Sequence, residues 1–293
     1  LIKLIPIQTH FSIMKYNKIF TTIAGLFVIA SLYLIATKPF NYGIDFSGGI
    51  LMEVKTQGVA NIEQIRNDLH KFSPEIQSEG TTGDLLSIRL PQGNKNEAEI
   101  AIMLNEVKQT LGPTIEYRNT QIVGPKVGSD LVKNSVFAVL LSVLAISLYI
   151  WARFELPFAV GAGLSLAHDI ILALGMIIIL RIEFDLTTLA SLLTLAGYSI
   201  NDTVVIYDRI RENLKRYKNK SLSEIIDLSI NETFSRTILT GITTIFAVLS
   251  ILVFGGEVLR GFSSVMLFGI IIGTYSSTLL STSSLLMFKK RMK

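Results

Sequence analysis

Six stretches of this sequence are each long and apolar enough to cross a bilayer as a helix: residues 19–36, 133–151, 157–180, 186–207, 237–254 and 262–288. Spanning the hydrocarbon core takes about 20 mostly apolar helical residues, because each backbone N–H and C=O must find its partner inside the segment. No other feature limits the fold as much, and it predicts a multi-pass α-helical membrane protein. Only 17% of residues are charged, against about a quarter in soluble domains, so composition agrees. The last stretch exceeds the hydrocarbon thickness and is expected to tilt or to emerge into water. The first is too long for the apolar core of a signal peptide and no clear small-residue cleavage site follows it, so it reads as an uncleaved anchor.

Orientation follows from Lys and Arg in the short connections. Lys3, Lys15, Lys18, Arg153, the run Arg209, Arg211, Lys215, Arg216, Lys218, Lys220 and the tail Lys289, Lys290, Arg291, Lys293 share one side, while the other offers Arg181 and Arg260. The basic side marks the cytoplasm, with both termini inside. The expected division is a cytoplasmic segment 1–18, a first span 19–36, an outer domain 37–130, a five-helix remainder 131–288 with a cytoplasmic loop 208–236, and a basic tail 289–293. The net charge of +4 is then a topology signal, with no nucleic-acid partner expected. Contact with anionic lipid or a cytoplasmic partner is the weaker reading of the basic loop.

The outer segment has the pattern of a folded domain. Residues 50–56 have strand composition, and 61–72 are helical with Ile62, Ile65 and Leu69 on one face. Strands at 75–79 and 85–90 follow, then a helix at 97–111 with Ile100, Met103, Leu104 and Val107 inward, and a strand at 114–123. The order βαββαβ is that of the split, ferredoxin-like α+β unit. That fold hosts many functions and names none.

Several chemistries lack their residues. No Gly-rich phosphate loop, nucleophile elbow or zinc-protease motif occurs. The chain has no cysteine and three scattered histidines, so no metal or cofactor is expected, and neither an enzyme nor an ATP-driven pump fits. Work done by such a chain would draw on another subunit or on the membrane potential.

Charges at bilayer depth are expensive and normally face the bundle interior, where they pair or relay ions. The third span carries His168 and Asp169, the fourth Asn201 and Asp202, and Arg236 opens the fifth. Thr187, Ser191, Thr194, Tyr198 and Asn201 form a polar stripe leading toward Asp202. Such a stripe can hold water beside a carboxylate, or simply hydrogen-bond between helices. Asp202 lies about 7 Å from the cytoplasmic end of its span at 1.5 Å per residue, and Arg236 enters from the same side. An arginine in contact favours the charged carboxylate and separation in an apolar setting favours the neutral acid, so making and breaking this pair would load and release a proton. The alternative for Arg236 is snorkelling to the head groups. Adjacent helical residues point about 100° apart, so His168 and Asp169 are not expected to face the same partner: one would pair across the bundle while the other caps or orients a neighbour, with structural support ahead of a proton relay. Gly269 and Gly273, continued by Ser276 and Ser277, read as a helix-packing face, as do Gly161, Ser165 and Gly175.

These motifs together resemble one family. Gly43-Ile-Asp45-Phe46-Ser-Gly48-Gly49, at the junction of membrane and outer domain, is similar to the Asp-Phe-x-Gly-Gly signature of the SecF family, accessory membrane subunits of the bacterial Sec protein-export translocase. Val123-Gly124-Pro125, Ala152-Arg-Phe-Glu-Leu-Pro157, Ser165-Leu-Ala-His168-Asp169, the stretch from Gly197 through Asn201-Asp202 to Arg209, and Asn231-Glu-Thr-Phe-Ser-Arg236 resemble further motifs of that family, in the right order along nearly the whole chain.

The resemblance implies a half of a proton-driven transporter of the RND superfamily. SecD would supply the other six helices, and the SecY-E-G channel and YajC would be further partners. Its role would be to use the proton-motive force to draw preproteins out at a late stage of export, with Asp202 and Arg236 coupling the proton. The coupling ion is H⁺ in this reading, with Na⁺ the alternative. A chain ending soon after the sixth span looks like a free-standing subunit. A scaffold that only holds SecD against the channel and a small-molecule exporter of the same superfamily are the competing readings. The single compact outer domain argues against the exporter.

Overall fold

The computed structural model describes residues 9–79, 83–93 and 95–288, so Lys3 and the basic tail 289–293 lie outside the described residues. The chain divides into two compact units, Tyr42–Val136 and the remainder. Among the described residues, six helices are long and apolar enough to span a membrane: Ile13–Thr37, Val127–Arg153, Leu156–Ile179, Leu186–Arg216, Leu222–Phe254 and Val258–Phe288.

The first membrane helix, α1 (Asn17–Thr37), follows a 3-10 turn, Ile13–Tyr16. The inserted unit then opens with a single helical turn, α2 (Ile44–Ser47), held between two glycines. Gly48 lies at φ +69°, ψ 171° and Gly49 at φ +124°. An L side chain is strained at either, which is why glycine stands at both. A Cβ on Gly49 would also sit 3.0 Å from the Leu90 carbonyl oxygen.

The unit continues as β1 (Gly49–Lys55), α3 (Ile62–Asp68), β2 (Glu75–Glu79), β3 (Leu85–Leu90), α4 (Glu97–Leu111) and β4 (Glu116–Val123). The strands form one antiparallel sheet in the order β2-β3-β1-β4. Each helix thus carries the chain past one intervening strand. Ile50, Met52 and Val54 alternate onto the face that α3 and α4 cover, where they meet Leu86, Ile88, Leu69, Ile100 and Val107. Asn96 and Glu99 close a capping box at the start of α4, which satisfies two backbone donors that begin the helix. Strands and helices fall where period-2 and period-3.6 patterns place them.

The second span, α5 (Pro125–Arg153), begins well before the expected residue 133. Its first turns approach the glycine pair so closely that a Cβ on Gly128 would lie 3.0 Å from Phe46 O and 3.3 Å from Gly48 N. Next come α6 (Leu156–Ile179), α7 (Leu186–Arg216), α8 (Leu222–Phe254) and α9 (Gly256–Tyr275). The sixth span continues through one π-helical turn, Ser276–Leu280, into α10 (Ser281–Leu285). The most apolar window of α6 is 61% buried, against 11% in α1 and in α5. Helices α6 and α7 are therefore the centre of this unit, and the large apolar side chains that α1, α5 and α8 expose suit lipid or another helical partner.

The cytoplasmic loop expected over 208–236 is not a loop. Helix α7 runs on to Arg216 and α8 starts at Leu222, capped by Ser221 and Glu224. Residues Asn213, Ile225, Ile226, Ser229 and Ile230 are buried between the two. A short hydrogen-bonded core, Asn213 Nδ2 to Ser229 Oγ (3.0 Å) and to Glu232 Oε2 (2.7 Å), with Arg209 Nε on the same Glu232 oxygen (2.7 Å), ties the pair together. The segment is too charged to read as a span, yet its buried face makes it a helical hairpin.

Candidate functional site

Helix α7 carries Asp202 in its middle, not five residues from its end, and Arg236 lies more than three turns inside α8 instead of opening it. Asp202 is fourteen residues before Arg216, and Arg236 fourteen after Leu222, so both stand about 21 Å from the connection at 1.5 Å per residue. The two charges share a height for this reason, which differs from the depth argument the sequence offered.

Asp202 is buried, 3% exposed, and its Oδ2 has no hydrogen-bond partner among the described residues. Arg236 is exposed on α8 and within electrostatic reach of Asp202. No ion pair within 4 Å joins them among the described residues. Thr237, next to Arg236, is buried with its hydroxyl also unpartnered.

Tyr198 stands one turn before Asp202 on α7. Its hydroxyl and that of Thr274 flank Gly241 of α8, 3.8 and 3.7 Å from where a Cβ would be. Thr244 and Thr274 face Tyr198 but give their protons to Thr240 O and Ile270 O within their own helices. Their oxygens still face the Tyr198 hydroxyl as acceptors, although neither lies within full hydrogen-bond geometry of it. The rest of the predicted stripe is not one file. Thr187 donates to Asp185, Ser191 to Thr188 O and Thr194 to Ala190 O, while Asn201 is exposed. Hydroxyls committed to local backbone acceptors serve the helix itself.

Asp169 pairs across the bundle, as expected of one of the two, and His168 meets Asp169 itself. His168 Nδ1 lies 2.9 Å from Asp169 Oδ1, and both are buried. The other oxygen, Oδ2, accepts from Ser199 Oγ of α7 (2.5 Å) and Ser276 Oγ of the π turn (2.7 Å). Neither serine was singled out as a carboxylate partner, since single hydroxyls in membrane helices usually bond to their own backbone. Gly269 and Gly273 lie against α7: a Cβ on Gly269 would overlap Leu195, and one on Gly273 would sit 3.4 Å from Ser199 Cβ. Gly161 of α6 has no room for a Cβ against Tyr207 and Ser284. In the motif at the start of the inserted unit, Gly43, Phe46 and Gly49 are buried and Asp45 is half-buried.

Fold and site define a multi-pass membrane protein with a four-stranded inserted domain and a buried carboxylate paired by height with an arginine. Comparison with known proteins agrees. The model for the protein export membrane protein SecD/SecF, C-terminal, matches residues 103–291, and that for the SecD/SecF GG motif matches residues 33–58. The protein translocase subunit SecF of Rickettsia rickettsii is 43% identical over 99% of this chain and 96% of its own length. That of Rickettsia typhi is 41% identical over 99% of this chain and 96% of its own length. A crystal structure of SecDF, a translocon-associated membrane protein from Thermus thermophilus, superposes with a TM-score of 0.85 at 32% identity, over 98% of this chain and 40% of the other. SecDF in its super-membrane-facing form gives 0.71 at 33% identity, over 97% and 39%. The chain belongs to the SecD/SecF family of protein-export membrane proteins.

Proposed function

We propose that this chain is the SecF subunit of a Sec protein translocase, which pairs with SecD in the inner membrane and uses a proton gradient to assist late-stage export of preproteins. Family membership supports the translocase role, and the SecDF likeness, in which this chain spans 40% of the longer one, supports SecD as the partner. The SecY-E-G channel and YajC complete the assembly. Both termini face the cytoplasm, and the inserted unit meets the emerging preprotein in the periplasm.

The observation that carries proton coupling is the buried Asp202 carboxylate, with one oxygen unpartnered and Arg236 in electrostatic reach. A proton arriving on Asp202 removes its attraction for the guanidinium, and its departure restores that attraction. The α7–α8 hairpin then has two preferred arrangements, and passage between them is the work step. A proton needs a single carboxylate oxygen. We take the ion to be H⁺, because one buried carboxylate with an unpartnered oxygen is enough to hold a proton.

The test is preprotein translocation into inverted membrane vesicles carrying Asp202→Asn at normal subunit levels. The increment due to the proton gradient is expected to vanish. An undiminished increment would remove proton coupling and leave a scaffold that holds SecD to the channel.

A further inference from the structure

Asp169 is completely buried, on the central helix α6. Its carboxylate accepts from three elements at once: His168 Nδ1 of α6, Ser199 Oγ of α7 and Ser276 Oγ of the sixth span. A buried carboxylate is destabilising by several kcal/mol unless its lone pairs are bonded, and an apolar residue of similar size would pack such a site without that penalty. Three donors within 2.9 Å meet this demand, so the charge fixes a geometry that apolar packing leaves free.

Both hydroxyl donors sit at informative places. Ser199 is three residues before Asp202, in the same turn of α7. Ser276 is the first residue of the π turn. A π turn carries one extra residue in the helix, and single π turns gather at functional sites. Here it sets which residues lie beyond it: Ser281 O accepts from the Tyr207 hydroxyl (3.2 Å), and Ser284 lies against Gly161. Returning the turn to α-helix would rotate everything past it by about 100° and break that register. The Ser276 hydroxyl also lies 3.2 Å from Gly273 O, a purely local acceptor. Its bond to Asp169 is the one that crosses between helices.

We propose that Asp169 is a positioning residue for Asp202, holding the rotation of α7 through Ser199 and the register of the sixth span through Ser276. The proposal rests on the proton-coupling reading of Asp202. Around Asp169, the titratable groups among the described residues are His168, whose ring centroid lies 6.1 Å from that of Tyr275, Tyr275 itself, whose hydroxyl is held by Phe20 O, and Asp202 a turn away along α7.

The test uses the complete reconstituted complex in proteoliposomes. Translocation driven by an imposed proton gradient is measured across a series of external pH values for Ser199→Ala, Ser276→Ala, Ser276→Cys and Asp202→Asn, with complex levels checked for each. Losing one hydrogen bond to a charged group predicts about a tenfold smaller gradient-dependent increment in either alanine variant. The pH of half-maximal stimulation should also move. Ser276→Cys keeps a weak donor and should fall between serine and alanine in both respects. If both alanine variants keep the wild-type pH profile while Asp202→Asn abolishes the increment, the positioning role is wrong and the proton-coupling role stands. A smaller increment with an unmoved profile, equal in the alanine and cysteine variants, also overturns it, as plain packing. An Asp202→Asn variant with a full increment instead removes the reading on which the proposal rests.

Discussion

Replacing Gly48 by alanine tests whether backbone conformation explains the paired glycines. Gly48 sits at φ +69°, ψ 171°, a region occupied almost only by glycine, where another residue costs about 1–3 kcal/mol. The inserted unit holds about 95 residues, for which a total stability of about 5–14 kcal/mol is typical. One methyl group would thus remove a sizeable share of it. Converted at about 1.4 kcal/mol per factor of ten, the loss is about a 5- to 150-fold faster exchange of the most protected amides. Hydrogen–deuterium exchange of β1 and β3 in the intact chain, held in lipid nanodiscs, reads this directly. Gly49→Ala should be at least as severe, because its Cβ would also press on Leu90 O at 3.0 Å. Gly124→Ala is the control: its φ is not positive and nothing lies within 4 Å of the added carbon. Wild-type protection in Gly48→Ala, or an equal loss in Gly124→Ala, would refute the conformational argument.

Three further outcomes are expected. Arg236→Met should remove most of the gradient-dependent translocation, and Arg236→Lys should recover part of it, because it restores the charge but not the planar fork; vesicle translocation assays separate the two. Gly161→Val should destabilise the membrane unit by about 1–3 kcal/mol through overpacking against Tyr207 and Ser284, seen as a lower aggregation temperature in detergent. Asn213→Ala removes the buried amide that bridges Ser229 and Glu232, at a cost of about 1–3 kcal/mol. Trypsin should then cut the α7–α8 connection several-fold faster, with cleavage followed on intact vesicles.

Six spans and the inserted sheet were legible because both depend on periodic apolar patterns that the sequence displays. What hydropathy hides is helix that continues past the membrane. Residues 208–236 carry Arg, Lys and Glu, so they resemble a loop, although Ser221-Leu-Ser-Glu224 is a capping-box signature and Ile225, Ile226 and Ile230 mark its buried face. Reading that signature would have lengthened both helices and corrected the depth of Asp202 and Arg236. The direct contact between His168 and Asp169 was hidden for another reason. The angle between neighbouring residues describes Cβ directions, and the reach of His168 and Asp169 lets their ends meet. Ser199 and Ser276 differ from other membrane serines only by what stands opposite them in space, which no local pattern records.

The helical hairpin turns the Asp202–Arg236 pair into the fulcrum of a long arm. Because α7 and α8 run unbroken from Asp202 and Arg236 to their shared connection, about 21 Å away, each behaves as a rod. A tilt of about 10° at the pair would displace the far end by about 4 Å, roughly three-quarters of a helical turn. If Asp202 couples a proton as proposed, the gain or loss of that one proton, a change with almost no size of its own, would appear at the far end of the hairpin as a displacement large enough for a neighbouring protein to feel.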